Sequence, residues 1–132
     1  MHAFVRFAPL LLAAAGAFAN AEDLPKNLHG RWTATATAAG KPASQPFDLE
    51  NIDRKDDTTF AARLSWTTAD PRCTVRYVPM KGRITATGLS FDSVTKCDVP
   101  FSAELAPGQG GTWVGRATVK SNPPAVMELT AK

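Results

Sequence analysis

Side chains able to hold metals or do acid-base chemistry are scarce in this 132-residue chain, which has two histidines, two cysteines and a single tyrosine. Each shortage excludes a class of function. His2 lies at the extreme N-terminus, so His29 stands alone in the body of the sequence, and a zinc or similar centre built from several His and Cys ligands is not expected. The one apolar stretch of any length, Phe7 to Ala19, has 13 residues, against the roughly 20 that cross a bilayer as a helix. A formal net charge of +3 is too small, and the Lys and Arg residues too dispersed, for a nucleic-acid surface of clustered cations interleaved with stacking aromatics. No Gly-rich phosphate loop leads into a helix, and no cofactor is expected.

What is present begins with a leader. Met1, His2 and Arg6 precede the Phe7–Ala19 stretch, which ends on Ala19-Asn20-Ala21, the weakly basic start, apolar middle and small-x-small end of a cleaved export signal. Residues 1–21 are therefore read as a signal peptide and 22–132 as a single domain, periplasmic or secreted and expected to be a monomer. No cysteine lies just after the apolar stretch to carry a lipid anchor, the cysteines being Cys73 and Cys97. Arg63, Arg76, Arg83 and Arg116 fall at mid-strand positions, which a lipid-facing outer-membrane barrel would reject. Without Arg6, 14 basic and 12 acidic residues leave a net charge of +2. In an oxidising compartment Cys73 and Cys97 are expected to form one structural disulfide.

From Gly30 onward apolar residues alternate with polar ones, the period of half-buried β-strands. Trp32, Ala34, Ala36 and Ala38 share one face of a first strand. Phe47 and Leu49 share a face of a second, and Ile52 falls out of phase, which predicts a bulge. Phe60, Ala62, Leu64 and Trp66 define a third strand; Cys73, Val75 and Tyr77 a fourth; Ile84 and Ala86 a fifth; and Leu89 and Phe91 start a sixth. Phe101, Ala103 and Leu105, then Trp113, Gly115, Ala117 and Val119, then Met127, Leu129 and Ala131 complete the set. Gly40-Lys41-Pro42, Asp56-Asp57, Asp70-Pro71, Lys81-Gly82, Thr87-Gly88, Pro107 to Gly111 and Asn122-Pro123-Pro124 supply turn chemistry between them. The fold class is all-β: an antiparallel meander of about eight strands closed into a barrel, which removes exposed edges, with a two-sheet sandwich as the alternative.

Leu28-His29-Gly30-Arg31-Trp32 is similar to the L-x-G-x-W opening of avidins and the G-x-W of lipocalins. This calycin-type resemblance implies a small exported barrel with the tryptophan packed at one end. Later lipocalin motifs and the polar set with which avidins hold a biotin ureido group have no counterpart here, so the resemblance speaks to fold and leaves the ligand open.

One histidine and no free thiol make an enzyme the least favoured class. His29 reads as a surface or barrel-end residue, and Glu50, Asp53, Asp92, Asp98, Glu104 and Glu128 cannot be paired from sequence. Asp53-Arg54-Lys55-Asp56-Asp57 lacks the alternating ligands and glycine of a calcium loop and reads as a charged hairpin turn. Two binding readings compete. In the first, Trp32, Trp66 and Trp113, set among inward alanines, line a cavity for a small apolar molecule. In the second, Arg76 and Arg116, with Arg63 and Arg83, form a cationic outer patch that grips an extracytoplasmic macromolecule, such as an exported hydrolase or an acidic polysaccharide. Each has an ordinary counterpart, since inward tryptophans make a core and outward arginines keep a sheet soluble.

Overall fold

The structure is a computed structural model that describes residues 24–34, 43–121 and 123–132. The leader 1–21 and the distal part of the expected first strand, with the Gly40-Lys41-Pro42 turn, lie outside the described residues. Eight strands follow in chain order: β1 (Leu28–Ala34), β2 (Ala43–Arg54), β3 (Thr59–Trp66), β4 (Val75–Ile84), β5 (Leu89–Val94), β6 (Pro100–Pro107), β7 (Trp113–Val119) and β8 (Ala125–Ala131). Each pairs antiparallel with the next and β1 pairs with β8, so the meander closes into a barrel. Short 3-10 turns at Pro71–Cys73 and Gln109–Gly111 are the helical elements among the described residues.

Alternation sets the register because one face of every strand must leave water. Phe60, Ala62, Leu64 and Trp66 of β3 are buried while Arg63 is exposed; Phe101, Ala103 and Leu105 of β6 and Met127, Leu129 and Ala131 of β8 repeat the pattern. The out-of-phase Ile52 marks a real bulge, with a register shift between Glu50 and Asp53 and Asn51 at φ 56°. Gly30, in the L-x-G-x-W segment, lies where β1 closes on β8. A Cβ there would stand 2.2 Å from the Thr130 carbonyl oxygen, so only glycine lets the two strands approach at this point.

The fourth and fifth expected strands are one. β4 runs unbroken through Lys81-Gly82, and Gly82 faces inward under the Phe60 ring, where a Cβ would lie 2.4 Å from ring carbons. The glycine serves close packing rather than a turn. Cys73 sits in a 3-10 turn before β4 rather than on a strand face. Tyr77 points outward, 49% exposed, because its φ of 51° shifts the alternation by one residue. Ala86 is exposed in the Thr85–Gly88 turn, where Thr85 N and Oγ both bond to the Gly88 carbonyl.

β4 and β5 share only three residue pairs, from Gly82↔Phe91 to Ile84↔Leu89, so residues 75–81 are paired on the β3 side alone. The expected disulfide closes the far end of this seam. Cys73 and Cys97 are bonded with their Cα atoms 4.9 Å apart, and Lys96 N donates to the Cys73 carbonyl at 3.0 Å. Buried Thr74 and Thr95 on either side accept backbone hydrogen bonds at their hydroxyls, from Thr68 N and from Cys97 N and Val99 N.

Replacing both cysteines by serine is expected to lower the unfolding free energy by about 3 kcal/mol, the value for freeing a loop of this length, read as a lower urea midpoint. Gly30→Ala should also lower the midpoint, by prising β1 from β8. An unchanged midpoint in either variant would show that closure does not depend on that contact.

Candidate functional site

The three tryptophans all face inward, and rings take up the interior around two of them. Trp66 stacks on Phe101 at 4.6 Å and on Trp32 at 6.4 Å between centroids, and Phe47 leans on it at 5.4 Å. Phe91 meets Phe101 edge-on at 6.4 Å. Trp32 Nε1 donates to the Thr67 carbonyl at 2.7 Å, which satisfies the indole on burial. Trp113 is buried at the start of β7, opposite Pro107 and Ala131 of the flanking strands. Trp32 and Trp66 are thus brought together by structure. Ala62, Ala103 and Ala117 are buried on the same inward face, and three grooves are lined by outward polar residues such as Arg83, Lys81 and Thr130.

Three outer surfaces gather polar chemistry. The largest is a groove of about 530 Å³ over β4 to β7, lined by Arg83, Asp92, Ser102, Glu104 and Arg116 among others. Register builds it, because Arg83, Ser90, Glu104, Arg116 and Glu128 form one row across five strands. Of the four outward arginines, structure therefore gathers Arg83 and Arg116, interleaved with carboxylates rather than forming a cationic patch. Arg83 pairs with Asp92 at 3.6 Å, and the Ser102 hydroxyl donates to the same carboxylate at 2.5 Å. That hydroxyl first, and then the Arg83 charge, hold the Asp92 carboxyl below its ordinary value. Arg76 lies apart, exposed near the start of β4.

On the outer face of β1 and β2 His29 Nδ1 pairs with Asp48 Oδ1 at 2.7 Å, a contact fixed by the β1–β2 register. Such a pair orients an imidazole, and nucleophilic catalysis would further require a hydroxyl at the other ring nitrogen. Four residues further along the same two strands Ser44 Oγ accepts from Arg31 Nε and from the Thr33 hydroxyl. Among the described residues no group of three His, Cys, Asp or Glu side chains is placed to hold a metal ion.

The third surface spans β2, β3 and β4. Asn51 Nδ2 donates to the Tyr77 hydroxyl at 2.9 Å, Tyr77 N donates to Ser65 Oγ at 2.9 Å, and the Arg63 guanidinium lies 5.1 Å from the Tyr77 ring centroid. Beside it Asn51, Asp53, Lys55, Arg63, Pro79 and Lys81 line a groove of about 510 Å³. Sequence reasoning placed Arg63 on this outer face and missed Tyr77 and Asn51. The signal for both was the break in alternation at Ile52 and at Val78-Pro79-Met80, since a bulge turns a neighbouring side chain to the other face.

No family model and no curated protein matches this chain. Among solved structures it is similar to a redesigned β-barrel, with a TM-score of 0.54 and 12% identity over 90% of this chain and 95% of that one. It is also similar to the monomer form of the M. tuberculosis PknI sensor domain, with a TM-score of 0.49 and 14% identity over 82% and 83% of the two chains. The likeness to the redesigned barrel is one of fold.

The Asp92 bridge has a definite pH sign. A carboxylate whose pKa is depressed in the folded state contributes stability above its unfolded pKa and loses it as pH falls through the folded one. The bridge thus holds at neutral pH and fails only in acid, below the ordinary 3.8. In an NMR titration Asp92 should have a midpoint below 3.8, and Ser102→Ala should raise it; an unmoved midpoint would exclude the hydroxyl as the cause.

Proposed function

We propose that this protein is an exported, non-catalytic binding module of calycin-like ancestry that engages an extracytoplasmic macromolecule through the outer face of its barrel. One observation carries the reading: the aromatic side chains that would line a ligand cavity stack on one another inside, with Trp66 in contact with Trp32, Phe47 and Phe101. An eight-stranded barrel is only just wide enough for side chains to fill. The polar grooves, by contrast, are on the outside. The leader and the disulfide support an extracytoplasmic address, and the position of Gly30 at the β1–β8 closure supports the calycin-like kinship.

The test sets the two binding readings against each other. Titration of the purified protein with fatty acid and with a hydrophobic dye should leave tryptophan fluorescence unchanged, while a macromolecule from the extracytoplasmic fraction is retained at low salt and released at high salt, as surface ion pairing requires. Saturable quenching by an apolar probe, lost in Trp66→Phe, would instead place the ligand inside the barrel and overturn the proposal.

A further inference from the structure

The lone tyrosine of the chain is held in a costly backbone conformation without being buried. Tyr77 has φ 51° and Asn51, two strands away, has φ 56°. Asparagine tolerates the left-handed region, but for a bulky aromatic it is an outlier that persists only where the surroundings enforce it. The enforcement is visible. The Tyr77 backbone is held by Ser65 Oγ on its N–H and by Arg63 on its carbonyl at 3.3 Å, while its hydroxyl is held by Asn51, whose own N–H donates to Asn27 Oδ1 at 3.0 Å. Burial offers no compensation, since half of the residue stays exposed. Contacts on two neighbouring strands thus fix a flat ring across the outer face of β3.

The chemistry beside the ring has a sign. The adjoining groove is floored by the small Ala61 and carries Lys55, Arg63 and Lys81 against a single lining carboxylate, Asp53, which is paired with Lys55 at 2.9 Å. Among the described residues Arg63 and Lys81 form no ion pair, and Glu50 stands opposite Arg63 in the β2–β3 register at the groove's edge. A fixed aromatic face, an amide, a guanidinium and an ammonium along an open groove match a polymer whose units offer a C–H-rich ring face, hydroxyls and a negative group.

Resting on the outer-surface reading above, we propose that the β2–β3–β4 face binds an acidic polysaccharide, one sugar ring lying on Tyr77 and its carboxylate or sulfate between Arg63 and Lys81. Arginine engages such oxyanions in bidentate fashion. A single aromatic and few cations do not suit single-stranded nucleic acid, which needs successive stacking platforms.

The experiment presents the purified full-length protein with polygalacturonate, dextran sulfate and neutral dextran at low and at 0.5 M salt, roughly a fivefold fall in screening length from 0.02 M. Retention of an acidic polymer but not dextran is expected, lost at high salt; polygalacturonate names the carboxylate and dextran sulfate the sulfate. Tyr77→Asn, which suits a positive φ and removes the ring, should weaken binding at least tenfold while the thermal midpoint is kept, and Lys81→Gln should weaken it several-fold and flatten the salt dependence. Lys120→Gln, at the end of β7, should bind as the parent does. If no acidic polymer binds, or if Tyr77→Asn and Lys81→Gln bind as the parent, this assignment falls. Equal weakening by Lys120→Gln means diffuse charge attraction and also overturns it. Salt-sensitive retention of a protein partner alongside a blank polymer panel would sink the polysaccharide and leave the outer-surface reading standing, whereas an apolar ligand quenching the tryptophans would sink both.

Discussion

The indole of Trp66 ties the two sides of the barrel together. It projects from the end of β3, leans on Phe47 of β2 and Trp32 of β1 to one side, and stacks at 4.6 Å on Phe101 of β6 across the interior. A closed sheet of eight strands has room for little more than its own side chains, so one large ring at this position decides what its neighbours can be. Ala62, Ala103 and Ala117 are buried with the rings in the same core. Truncating Trp66 would leave a void of the kind that costs about 3–5 kcal/mol in a close-packed core.

Closure imposes a second constraint, which is uneven around the barrel. Most neighbouring strands share five to seven residue pairs, yet β4 and β5 share three. Along residues 75–81 β4 is paired with β3 but not with β5, an edge within the closed sheet. Unpaired edges invite another chain, and proteins blunt them with proline and bulges. Pro79 and the Tyr77 bulge both fall in this stretch. The disulfide then bounds the seam at the end opposite the Gly82↔Phe91 pair, doing covalently what ladder hydrogen bonds do elsewhere. Redox chemistry and fold geometry meet here, since a structural disulfide persists in oxidising surroundings.

Sequence reading reached the fold because burial on one face writes a period of two into the chain. The strands around Phe60–Trp66 and Phe101–Leu105, the bulge near Ile52 and the Cys73–Cys97 link were all legible in that way. Gly82 was not, because glycine marks both turns and close packing, and the Phe60 ring that decides between them comes from 22 residues earlier. Tyr77 was assigned inward because alternation was carried through a bulge that shifts it. Site residues were less legible still. His29 with Asp48, Arg83 with Asp92 and Asn51 with Tyr77 are separated by 9 to 26 residues and meet only through strand register or a bulge.

Register also explains how a nearly neutral protein comes to have a positive face. Of the charges brought to the surface, Arg83 meets Asp92, Arg72 meets Asp70 and Lys55 meets Asp53, which leaves local fields weak in most places. On the β2–β4 face the Asn51 bulge turns Asn51 outward next to Asp53, so the position across β3 from Tyr77 carries an amide in place of a charge. One Arg63 donor bonds the Tyr77 carbonyl while its guanidinium lies beside the ring, and Lys81 stands opposite Ala61 on β3 rather than opposite an acid. Net charge averages over such differences. The local excess follows from two bulges, so a protein with this composition but unbroken strands would have the same net charge and no such face.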